Sequence, residues 1–190
     1  MQVVAGIDLA GDPRRPTGLA VISGLKLSLR TVFSDTEICE AVNSVRLAAV
    51  DAPLTRSRRG YRCLDKCLIK LGFRVLPPSF PGMNRLTERG IRLRRRLEEL
   101  GVRVFETHPL SCCKALGIGN REGFLEFMEK KGYKLAGELN RHTVDAAIAA
   151  YTAALHLAGL TIIIRAADGE LVLPKPRVAV LGSRTFCGRR

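Results

Sequence analysis

The chain has 190 residues, 46% of them hydrophobic, which suits one domain with a full core; it holds no apolar run long enough to span a membrane. Thirty-one Lys and Arg against 18 Asp and Glu give a formal charge of +13, a surplus that favours a polyanionic partner, most simply nucleic acid. With 5% aromatic residues and no Trp, a base-stacking platform is not expected, and contact with backbone phosphates fits better.

No basic segment precedes Val3, so no signal peptide is expected and the expected location is cytoplasmic. Residues 3–11 form an apolar run without helical period, read as a strand buried on both faces and carrying Asp8 near its end. Asp12-Pro13 then marks a turn with two arginines, where Asp12 reads as a turn residue. Residues 17–24 and 26–33 continue as an antiparallel meander. Ser34 with Glu37 three residues on is a capping box for a helix to about residue 43. Residues 47–50 form another buried strand, ending at Asp51 before Ala52-Pro53. Reached through a helix, it should lie parallel to its sheet neighbour.

A basic loop at 55–60 carries Arg56, Arg58 and Arg59, and short helical character follows at 63–71. Residues 77–82 look irregular. Residues 84–100 form the longest helical pattern, with Arg92 and Arg94–Arg96 crowded together and Gly101 as the stop. Residues 102–106 make a third strand ending in a carboxylate, Glu106. Further helices are expected near 111–116, 122–131 and, rich in alanine, 142–158. A hairpin is expected at 161–173 and a last short strand at 178–181. Of six cysteines (Cys39, Cys63, Cys67, Cys112, Cys113 and Cys187) none forms a C-x2-C pair, so small buried thiols are expected rather than a zinc site.

Three apolar strands thus end in carboxylates: Asp8, Asp51 and Glu106. Sites in open sheets form outside the C-terminal ends of parallel strands. Adjacent strands lie about 4.8 Å apart, so Asp8 and Asp51 could share a cation. Asp145 sits on a helix face that is otherwise small and apolar, with His142 three residues before it on the same face. An unpaired carboxylate there would cost several kcal/mol. A divalent ion with oxygen ligands removes both that cost and the mutual repulsion, and Mg2+ or Mn2+ is the expected ion.

Gly6-Ile7-Asp8 closing the first strand, a meander, a helix, a strand ending in Asp51 and a late helix opening His142-Thr-Val-Asp145 resemble the ribonuclease H-like fold. The late motif looks like the corresponding helix of RuvC-type Holliday-junction resolvases. Val50-Asp-Ala-Pro-Leu54, Arg62-Cys63, Gly82-Met-Asn84, Phe105-Glu-Thr-His-Pro109 and His142-Thr-Val-Asp145, spread over most of the chain, together resemble the domain-of-unknown-function family numbered 429. That family is regarded as nucleases. The resemblance implies one α/β domain over 1–190, with a mixed sheet of antiparallel meander and parallel strands flanked by helices, and an inserted helical lobe at 55–100. It implies hydrolysis of phosphodiester bonds in DNA or RNA with two metal ions, Mg2+ or Mn2+. Asp8, Asp51 and Asp145 would be catalytic carboxylates and metal ligands, His142 a further ligand, and Glu106 a catalytic group without a firm resolvase counterpart. Arg58, Arg59, Arg62 and the group Arg92 to Arg96, with Arg92 and Arg96 foremost, are the candidate phosphate contacts, a solvated basic helix face being the alternative, at least as good for Arg94 and Arg95. The partner would be nucleic acid and not a membrane, and a homodimer is allowed. Two other readings stay open: a non-catalytic nucleic-acid-binding protein of this fold, and a hydrolase of a small nucleotide or phosphorylated substrate.

Overall fold

Strand-forming runs, separated by turns and one capped helix, place β1 (Val4–Asp8) at the heart of a six-stranded sheet. The computed structural model describes residues 2–57 and 60–176. β2 (Thr17–Ser23) and β3 (Lys26–Val32) form the antiparallel meander with β1. α1 (Asp35–Val42) starts at the capping box: Ser34 Oγ accepts from Glu37 N, and the Glu37 carboxylate accepts from Ser34 N. Through α1 the chain crosses to β4 (Leu47–Asp51), parallel to β1, with Asp8 aligned on Asp51. β5 (Arg103–Glu106) adds in parallel to β4, with Val50 aligned on Glu106.

Between β4 and β5 lie α2 (Cys63–Lys70) and α3 (Pro81–Glu99). α3 begins three residues before the expected start, since Pro81 suits a first helical turn that needs no donor there. After β5 come α4 (Pro109–Leu116), α5 (Arg121–Lys130), β6 (Lys134–Gly137) and α6 (Arg141–Leu157). β6 was not anticipated: its four residues carry no alternation, and it is fixed by parallel pairing to β3 at the sheet edge. The order is β5-β4-β1-β2-β3-β6, and β7 (Thr161–Ala166) with β8 (Gly169–Pro174) makes a separate hairpin. The expected strand at 178–181 lies outside the described residues.

Alternation along β1 assigns its two faces. Ala5, Ile7 and Leu9 join Val50, Leu93 and Leu97 in a core beneath α1 and α3. Val4, Gly6 and Asp8 face the other way, toward α6. There the helix nearly touches the strands. A Cβ on Gly6 would lie 2.0 Å from Ala146 O, and one on Gly18 would lie 2.0 Å from His142 O. The alanines of α6 complete this close seat from the helix side, with Ala146 to Ala150 buried throughout. At the far end of the chain, the turn between β7 and β8 presents Asp168. Its carboxylate accepts from the free N–H groups of Cys63 and Leu64 and caps α2 from 105 residues away. Among the described residues, no helix is long and apolar enough to cross a membrane.

Candidate active site

Asp8 and Asp51 end adjacent parallel strands in register, and the same alternation turns both toward α6. α6 begins at Asn140, whose side chain accepts from the backbone N–H of His142 and Thr143. That cap fixes the first turn over the strand ends. His142 Nδ1 is hydrogen-bonded to Asp8 Oδ2 at 2.7 Å. One turn on, Asp145 receives two hydrogen bonds from Arg121 at the start of α5, at 2.8 and 2.6 Å. Three of the four expected metal-site residues are therefore tied into pairs with, or next to, a neighbouring basic group.

Asp51 is the exception. It is half-buried, and among the described residues it has neither a hydrogen-bond nor an ion-pair partner. Burial, then the charges of Asp8, Asp145 and Glu106, push its carboxyl well above the ordinary carboxylate range. Burial also raises Asp8, with its His142 hydrogen bond pulling the other way and Asp145 adding to the rise. This group of negative side chains is short of positive charge at Asp51.

Glu106 does not share that arrangement. It aligns with Val50, one position short of Asp51, so alternation directs it to the opposite face of the sheet. There Arg62 donates to both of its oxygens, at 2.6 and 2.8 Å, and Leu54 N donates at 2.8 Å. Burial still raises the Glu106 carboxyl, with Arg62 opposing. Arg62, a candidate phosphate contact, is 3% exposed and also holds Asp65. Its guanidinium is consumed by two buried carboxylates, which corrects the expectation that it faces a polyanion. Arg92 and Arg96 are exposed on α3. Arg58 and Arg59 lie outside the described residues.

Residues that sequence reasoning missed are mostly arginines. Arg121 carried no spacing signal, since its partner is 24 residues away. Arg14 and Arg15, in the turn after β1, line a cleft of about 570 Å3 with Arg85 of α3. Asp12 behaves as a turn former, accepting from Arg14 N through its side chain and from Arg15 N through its carbonyl. A second cleft, of about 340 Å3, contains Asp8, Asp51 and Glu106 together with Arg62, Arg74 and His108. His108 is hydrogen-bonded through Nδ1 to Ser111 Oγ, and burial lowers its pKa. Four of the five described cysteines are buried thiols and none is disulfide-bonded.

The donor set can be tested against a divalent cation. Hard carboxylate oxygens with one imidazole suit Mg2+ or Mn2+, and the partnerless Asp51 is the carboxylate that such an ion would satisfy. As placed, no three His, Cys, Asp or Glu side chains among the described residues already form a cage. Arg121 and His142 occupy Asp145 and Asp8 instead. The site fits a cation in its chemistry, provided that Arg121 releases Asp145.

Known structures bear on the fold. The RuvC of Thermus thermophilus, solved in complex with a Holliday-junction substrate, superimposes with a TM-score of 0.54 at 19% identity, covering 84% of this chain and 96% of that one. The fold is that of RuvC. A second Thermus thermophilus RuvC structure aligns at a TM-score of 0.49 and 21% identity, over 83% of this chain and 97% of that one. No family model matches the sequence, and no curated protein matches it either. The RuvC-like mixed sheet with flanking helices agrees with the fold class expected from the sequence.

Proposed function

We propose that this protein is a nuclease that hydrolyses phosphodiester bonds in DNA or RNA with two divalent metal ions, Mg2+ or Mn2+. The observation that carries the reading is the pair Asp8–Asp51, in register at the ends of parallel strands, with Asp51 lacking any described partner. Asp145 and His142, presented by the capped start of α6, complete the oxygen and nitrogen donors. The resemblance of its motifs to the domain-of-unknown-function family numbered 429, read from the sequence, agrees with this proposal.

Asp8, Asp51 and Asp145 would hold the metal, with His142 as the further ligand. A metal held there would supply Lewis acidity for phosphodiester hydrolysis, making water a better nucleophile and offsetting developing negative charge. Asn140 keeps His142 and Asp145 at the height of the strand ends. Arg121, once released from Asp145, is a guanidinium at the site edge that can meet a phosphate oxygen. Arg14, Arg15 and Arg85 offer a basic track for flanking phosphates, in keeping with the +13 charge.

The Arg121–Asp145 pair also supports a second reading, a nucleic-acid-binding protein that has replaced metal by its own cations. One experiment separates the two. Branched, duplex and single-stranded DNA and RNA are incubated with Mg2+ or Mn2+, using the wild type, Asp8→Asn and Asp145→Asn. Cleavage by the wild type alone is expected. No cleavage of any substrate, or equal cleavage by the variants, removes the nuclease reading.

A further inference from the structure

The cleft that holds Asp8 and Asp51 is larger than cations and a phosphate require. It encloses about 340 Å3, and much of its wall is aliphatic: Leu68 of α2, Val75 and Leu76 of the next segment, Met83 and Leu86 of α3, and Leu110 of α4. Leu76 and Leu110 are 59% and 55% exposed, so apolar surface faces solvent within the same cleft as the carboxylates. A sugar–phosphate backbone is polar and gains nothing from such a wall. The apolar parts of a nucleic acid are the faces of its bases, and in a duplex these are stacked on one another.

Size narrows the occupant. A volume of 340 Å3 is roughly a sphere about 9 Å across, narrower than a duplex, whose major groove alone is ~12 Å wide. A duplex cannot enter, whereas one base can. Charge agrees with this. Arg74 lines the cleft, is exposed, and forms no hydrogen bond or ion pair with the described residues. Leu86 of this cleft directly follows Arg85, which lines the basic cleft with Arg14 and Arg15. Flanking phosphates can therefore follow the arginines while one nucleotide turns inward.

We propose that this cleft receives a single unpaired nucleotide of a bound strand, its base against the aliphatic wall and its phosphate toward Arg74. That its phosphodiester then meets Asp8 and Asp51 rests on the nuclease reading above. The substrate class would be strands carrying an unpaired or extruded base, bound by apolar contact without aromatic stacking.

Binding of the full chain in Ca2+ is measured by fluorescence anisotropy on three oligonucleotides of one sequence. These are a paired duplex, the duplex with one bulged 2-aminopurine, and the same bulge made abasic. The bulge should bind about tenfold tighter than the duplex, as expected when the apolar face of one base is taken out of water. The abasic bulge should lose that gain, and 2-aminopurine emission should change on binding. Leu76→Gln with Leu110→Gln alters only exposed positions and adds no charge. This double variant should melt with the wild type and bind the paired duplex as well, yet lose the preference. Equal affinity for all three probes, no detectable binding of any of them, or a preference kept by the double variant overturns the proposal. Cleavage of the same probes in Mg2+ or Mn2+ is scored separately. A preference for the bulge without cleavage supports the nucleotide pocket, and the nuclease reading then falls if the wider panel above is uncleaved too.

Discussion

Gly18 is paired with Asp8 in the β1–β2 ladder and lies directly under the first turn of α6. In Gly18→Ala the new Cβ would sit 2.0 Å from His142 O and 2.8 Å from Thr143 N, both backbone atoms. No side-chain rotation relieves that clash. To regain ordinary contact at 3.4 Å, the helix start and the strand must part by about 1.4 Å. The 2.7 Å contact between His142 and Asp8 does not survive such a shift. Overpacking of this kind costs about 1–3 kcal/mol, a fall in Tm of roughly 3–10 °C for a domain of this size. Misplacing reacting groups by about 1 Å costs on the order of 100-fold in rate. Gly119→Ala is the control, because nothing lies within 4 Å of its Cβ and it lies in a loop outside both clefts. Thermal melts and metal-dependent cleavage of wild type, Gly18→Ala and Gly119→Ala check both effects. A Gly18→Ala protein that melts and cleaves like the wild type would refute the idea that the missing Cβ sets the height of α6.

The remaining predictions concern charge. Asp51 has its folded pKa raised, so the stability it contributes is present below its unfolded value of about 3.9 and is lost as pH rises through the folded one. Without divalent cations, Asp51→Asn should therefore stabilise the protein at about pH 8 by about 1 kcal/mol or more. At about pH 4 it should change little, and urea unfolding at the two pH values decides. Arg121→Ala frees Asp145, and Mn2+ affinity by calorimetry should tighten by up to about fivefold, a pair this open to solvent contributing at most about 1 kcal/mol. Weaker binding would contradict Arg121 as the competing cation. Arg62→Met leaves Asp65 and Glu106 buried without their cation and should lower unfolding free energy by about 3–5 kcal/mol. A loss below about 1 kcal/mol would mean the buried cluster relaxes to solvent.

Local patterns made the centre of the fold legible. Apolar runs around Asp8 and Asp51 fixed their strands, and the helix between them required a parallel register. Ser34 and Glu37 announced α1, and the alanines with Asp145 announced α6. Three kinds of feature escaped. β6 is a strand through its partner β3 alone, and nothing in Lys134–Gly137 alternates. Arg62 sits within a basic stretch in the sequence, yet its decisive partner, Glu106, is 44 residues away. Glu106 ends an apolar strand as Asp8 and Asp51 do, and only the register with Val50 shows that it faces the other side of the sheet. Pairings distant in sequence decide side-chain roles that composition cannot assign.

The cap that Asp168 places on α2 has a consequence for the order of events during synthesis. α2 carries Leu68, part of the aliphatic wall beside the carboxylates, and buries Leu64 and Cys67. Its first two N–H groups are satisfied from a turn made more than 100 residues later. The residues of β1 to β4, Asp8 and Asp51 among them, are synthesised long before that turn, and the face they share is covered only when α6 follows. The wall of the cleft is secured afterwards, when β7 and β8 arrive. Asp8 and Asp51 are made early, Asp145 arrives only with α6, and the surface that would select what reaches them is finished last.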